Sequence, residues 1–102
     1  MSGSPEPADA DRFIRMPKVE LHVHLEGALP PETVWSLAQR HKMRLPADSL
    51  TAWRVRYAFR DFDGFIEAYD CAAGALRTAE DFALAVEQFC ERQATQNILH
   101  SE

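Results

Sequence analysis

Only two cysteines, Cys71 and Cys90, occur in the 102 residues, and their spacing is not that of a C-x-x-C pair. A cysteine metal knuckle and a disulfide framework are therefore not expected, and both residues read as buried free thiols of a reducing cytoplasm. Long apolar runs are also missing. None approaches the roughly 20 residues a membrane span requires, and no charged-then-apolar leader opens the chain. The expectation is a cytoplasmic protein with no membrane partner. Positive charge is scarce as well: 11 Lys and Arg stand against 16 Asp and Glu, a net of −5, with no basic run. Nucleic-acid binding normally shows clustered Lys and Arg, so nucleic acid is not an expected partner.

What is present is one highly patterned stretch, Lys18-Val19-Glu20-Leu21-His22-Val23-His24-Leu25-Glu26-Gly27. Its residues alternate, which predicts a strand over about 18–25. Val19, Leu21, Val23 and Leu25 share one face; Glu20, His22, His24 and Glu26 share the other. Residues two apart on a strand lie about 6.5 Å apart along its axis and project the same way. Two imidazoles so placed can lean onto one metal ion, and neutral imidazole suits zinc and other first-row divalent ions. Two histidines on a strand can also simply face solvent. The apolar opposite face, the flanking carboxylates and the closing glycine favour His22 and His24 as metal ligands. Gly27 lets the backbone turn sharply or approach a ligand closely.

Residues 1–12 are small, polar and punctuated by proline, and read as a disordered tail before a domain over 13–102. Pro30-Pro31 followed by Glu32 predicts a helix over 31–42. Val34, Leu37, Ala38 and His41 form its inner face. Trp53, Val55, Tyr57 and Phe59 alternate with more polar neighbours, and 46–60 is expected to be an ordered loop. Asp61 or Asp63 can cap a helix through Phe62, Phe65, Ile66, Tyr69, Ala73 and Leu76. Thr78 to Asp81 has the form of a capping box and starts a helix to about 95. Phe82, Val86, Phe89 and Cys90 are expected to face inward, and Asn97 to leave the helix in a left-handed conformation.

Met16 to Leu29, M-P-K-V-E-L-H-V-H-L-E-G-A-L, resembles the first strand and loop of the adenosine deaminase family of metal-dependent amidohydrolases. Phe59-Arg60-Asp61-Phe62 with Phe65-Ile66, and Leu76 to Phe82, are similar to later parts of that family. The resemblance covers roughly 14–102. It implies an α/β fold, the N-terminal fragment of a (β/α)₈ TIM barrel. The fragment would hold the first strand, the excursion helices and the start of a second strand at 97–102. A barrel needs about 250 residues, so the chain is expected to be a truncated product, half of a split gene or a piece lacking its remainder.

The resemblance further implies zinc-dependent hydrolytic deamination of an adenine-containing base or nucleoside, with one Zn²⁺ per complete barrel. His22 and His24 would be two of its ligands, and His24 would also lie against the substrate. The remaining ligands and the catalytic acid and base belong to later strands. Glu26 occupies the position where the adenosine-specific branch usually carries Asp. Its expected role is a substrate contact, against the plainer one of stabilising the loop. Glu20 is expected to be buried lower on the strand and paired with a cation. By the resemblance Phe62, Phe65, Ile66 and Tyr69 would form a pocket lid, although an apolar helix stripe is ordinarily core. His41 and His100 carry no motif. The small-molecule partner would be a purine, with self-association or complementation by a C-terminal fragment as the macromolecular expectation. The alternative is a non-catalytic remnant or helical interaction module.

Overall fold

A computed structural model describes residues 7–102. Two short parallel strands, β1 (Lys18–Glu20) and β2 (Ile98–Ser101), lie side by side. Parallel strands need a long crossover, and here it consists of α2 (Pro31–Arg40), α3 (Leu50–Tyr57), α4 (Phe62–Ala75) and α5 (Ala79–Thr95). A helix α1 (Pro7–Arg15) precedes β1. The fold is α/β. Where the sequence predicts a disordered tail over 1–12, residues from Pro7 onward are helical, and residues 1–6 lie outside the described residues. Asn97 Nδ2 donates 2.6 Å to the Arg15 carbonyl, fastening α1 to the turn before β2.

Each helix starts on a local signal. Pro31 and Glu32 open α2 as expected. The helix stops at Arg40 rather than 42, because His41 closes it and Lys42 takes a positive φ of 53°. In α4, Asp61 rather than Asp63 is the cap, its Oδ1 accepting from Gly64 N at 2.8 Å. The Thr78–Asp81 capping box is complete, with Asp81 N donating 3.1 Å to Thr78 Oγ1 and Thr78 N donating 2.9 Å to Asp81 Oδ2. Asn97 is left-handed, at φ 54°.

Two expectations are corrected. The segment 46–60 is not a loop throughout, since Leu50–Tyr57 is helical, capped by Ser49 Oγ accepting from Ala52 N at 3.1 Å. The period-two alternation there is incidental; burial selects only Trp53, which is completely enclosed. The inner face of α5 is also not Phe82, Val86 and Cys90, all of which are exposed, with Phe89 half-buried. Asp81 and Ala85 point inward instead. Cys90 is accordingly not a buried thiol, whereas Cys71 is half-buried and burial pushes its thiol up.

The core lies among the helices, where Val34, Leu37 and Ala38 of α2 meet Trp53, Ala72, Ala75, Leu76 and Ala85. Trp53 removes about 200 Å² from water, worth roughly 5 kcal/mol as an upper estimate. Its indole also donates 3.0 Å to the Pro31 carbonyl. The sheet is not covered in the same way. Val19, Leu21 and Leu99 are 58%, 67% and 72% exposed, whereas Val23 and Leu25, the other members of the expected apolar face, are half-buried and Leu25 packs against the helical core.

Candidate metal centre

β1 is shorter than the predicted strand, because regular pairing ends at Glu20. One more link, Val23 N to the Glu102 carbonyl at 2.7 Å, continues the ladder irregularly. The chain then bends into a 3₁₀ turn over Leu25–Ala28, led by His24 and closed by Gly27 N donating 2.9 Å to the His24 carbonyl. The two histidines thus lie on the bridge between the strand and the turn, just past the C-terminal end of β1.

There they converge. The Nε2 atoms of His22 and His24 are 3.0 Å apart, with ring centroids at 5.0 Å and planes inclined by 31°. At a zinc–nitrogen bond of about 2.0–2.1 Å, two ligand nitrogens lie about 3.3 Å apart on a tetrahedral ion and about 2.9 Å apart at a right angle. The observed separation falls within that range, so the donor pair fits one divalent ion. Both rings are exposed. The pair supplies two ligands. Among the described residues, no group of three or more His, Cys, Asp or Glu side chains is placed to hold a metal.

The histidines open onto a pocket of about 670 Å³, also walled by Glu20, Gly27, Phe65, Ile66 and Tyr69. That volume lies within the range of small-molecule sites. Tyr69 stands edge-on to His24, with ring centroids 6.3 Å apart. It also passes so close to Gly27 that an added Cβ would touch its ring at 3.5 Å. Of the α4 stripe, Phe65, Ile66 and Tyr69 reach this pocket. Phe62 does not; it is 72% exposed and packs towards Phe65.

Glu26 is half-buried in the first turn of the 3₁₀ segment and is not among the pocket's lining residues. Glu20 departs further from expectation. It is half-buried, its carboxylate accepts from the Gln93 amide at 3.2 Å rather than from a cation, and it faces the pocket. Its place on the same strand face as the histidines was the signal for that. His41 is structural: Nε2 lies 2.5 Å from Asp81 Oδ2 in the helical core. His100 is exposed, 3.1 Å from the Glu102 carboxylate.

Comparison with known proteins gives a consistent picture. The family model described as adenosine deaminase matches residues 17–102. The chain is 42% identical over 97 residues to an adenine deaminase of Cupriavidus pinatubonensis, covering 95% of this chain and 28% of that protein. It is 42% identical over 87 residues to an adenine deaminase of Rhodospirillum rubrum, covering 85% and 26%. The crystal structure of an adenine deaminase from Arthrobacter aurescens superposes with a TM-score of 0.74 at 34% identity, covering 83% of this chain and 26% of that one. The chain therefore spans little more than a quarter of the length of these relatives.

Proposed function

The chain belongs to the adenosine deaminase family, and on that premise we propose that it forms the first part of a (β/α)₈ barrel that hydrolytically deaminates an adenine-containing purine. β1 and β2 would be the barrel's first two strands, with α2 to α5 as the excursion between them. Barrel enzymes keep their active sites at the C-terminal ends of the strands, which is where His22 and His24 stand. The observation that carries the proposal is the 3.0 Å approach of their Nε2 atoms at the mouth of a pocket.

His22 and His24 would hold one zinc ion. When bound, such an ion supplies Lewis acidity and a nucleophile at neutral pH. In the overall reaction the purine carbon loses its amine as ammonia and gains oxygen from water. The chain's own residues would bind and orient: Phe65, Ile66 and Tyr69 offer an apolar wall to a flat ring, with Gly27 beside Tyr69 on the same pocket. Glu26 would contact the substrate from the turn. The remaining ligands and the group that moves the proton would come from the rest of the barrel, so the chain alone is proposed to be inactive.

Ammonia release from adenine, adenosine and aminodeoxyfutalosine tests this, measured for the chain alone and together with a polypeptide completing the barrel. Activity is expected only in the mixture and should vanish when His22→Ala and His24→Ala are combined. Undiminished activity of that double variant would place the chemistry elsewhere.

A further inference from the structure

The 3₁₀ turn that follows the histidine pair has space behind it. A cavity of about 380 Å³ separates Gly27 to Pro31 from Phe89, Arg92 and Gln93 of α5 and from Gln96 just beyond it. α4 and α5 also approach the turn, but across this cavity Gly27 to Pro31 have no close packing partner. From the wall of the same cavity α3 holds the segment that leaves the turn at two points: the Tyr57 hydroxyl donates to the Leu29 carbonyl, and Trp53 Nε1 donates 3.0 Å to the carbonyl of Pro31 at the start of α2. The two aromatic rings lie one helical turn apart and brace each other edge to face, with centroids 5.5 Å apart. Leu29 is itself enclosed, at 3% exposure. Its carbonyl is thus a fixed point at the exit of the turn, while the entry is fixed by Gly27 N on the His24 carbonyl.

We propose that Tyr57 is a positioning residue for the metal pair, holding His24 through the Leu29 carbonyl and the 3₁₀ turn. The proposal rests on His22 and His24 binding a metal, and adds a residue from α3 that touches neither the histidines nor their pocket. The phenol suits the task. Burial pushes its pKa up, so the hydroxyl stays a donor throughout the neutral range. Tyr57→Phe removes the donor and keeps the ring against Trp53. The turn can then relax towards the cavity, and His24 moves with it.

The test uses the full chain, with Zn²⁺ as the probe. Zinc affinity by calorimetry, hydrogen exchange of the Gly27 amide and thermal melting are compared for wild type, Tyr57→Phe and Arg54→Ala. Arg54→Ala breaks a different α2–α3 link, the 2.7 Å pair with Glu32, and serves as the matched control. Tyr57→Phe is expected to weaken zinc binding about 3- to 10-fold, the worth of one hydrogen bond, and to speed Gly27 exchange by a similar factor. Arg54→Ala should change neither, even if its melting temperature falls as far. Equal zinc affinity and equal Gly27 exchange in wild type and Tyr57→Phe would overturn the proposal, as would equal losses in both variants. Exchange is read without metal, so a wild type that takes up no zinc refutes the metal reading while the brace is still decided by Gly27 protection.

Discussion

His41 Nε2 lies 2.5 Å from Asp81 Oδ2, which joins the end of α2 to the start of α5. The same carboxylate accepts from the backbone N–H groups of Arg77 and Thr78, both at 2.9 Å, and Arg40 reaches its other oxygen at 3.0 Å. One buried side chain thus caps a helix and ties two helices together. Burial raises the Asp81 pKa, but the backbone donors together with the His41 and Thr78 side chains outweigh it and hold the carboxyl well below the usual carboxylate range.

Acid should therefore loosen the helical core. Because the folded pKa is depressed, the stability Asp81 supplies is complete above its unfolded value of about 3.9 and is lost as pH falls below it. Melting temperature measured from pH 6 to pH 2 should drop more steeply in wild type than in Asp81→Asn, which should already melt lower at neutral pH. Parallel curves would assign the acid loss to other groups.

Trp53 is the largest fully buried side chain. Trp53→Ala is expected to cost about 3–5 kcal/mol, the usual range for emptying an aromatic core position. Trp53→Phe should cost less, since it keeps most of the packing and loses the bond to Pro31. Urea unfolding followed by circular dichroism checks both, and similar midpoints for the two variants would refute the ranking.

The apolar strand residues point to association. Leu21 and Leu99 are more than half exposed beside an open two-stranded sheet, and exposed strand edges template further pairing. The chain in dilute solution should self-associate, and Leu21→Lys with Leu99→Lys should shift it towards monomer. Sedimentation velocity decides this. A wild type that is monomeric across the micromolar range would contradict it.

In a completed barrel, Glu26→Asp should move substrate preference towards adenosine. Glu places its carboxylate about 1.5 Å further out than Asp, one carbon–carbon bond, and ångström misplacement can cost on the order of 100-fold in rate. The measurement is kcat/KM for adenine and adenosine in both forms. An unchanged ratio would leave Glu26 with only a role in the turn.

Much of this was legible in residue order. The proline start of α2, the Thr78 capping box and the left-handed Asn97 each rest on chemistry local to a few residues, and each is where the sequence places it. The errors arose where distant partners decide. The strand over 18–25 alternates throughout, yet regular pairing covers only Lys18–Glu20 and the chain bends into a 3₁₀ turn at Leu25. In α3 an alternating pattern masked a helix whose signs were Ser49 as a cap and the four-residue spacing of Trp53 and Tyr57. In α5 the large apolar residues drew attention from Asp81 and Ala85, the face that packs. Glu20 meets an amide rather than a cation because Gln93 arrives from the far end of the crossover, a meeting that no local pattern encodes.

β1 and β2 stand near opposite ends of the chain, while the helices between them are joined by short connections. Closing so long a loop costs chain entropy before the ladder returns anything. We therefore predict an order of assembly: the helices gather first, and the strands pair afterwards. Stopped-flow refolding should recover helical circular dichroism before the amides of β2 become protected, and simultaneous recovery would contradict that order. The imidazole pair hangs from the last ladder link, so until the slowest contact forms the two histidines are ordinary, independent side chains on an open chain.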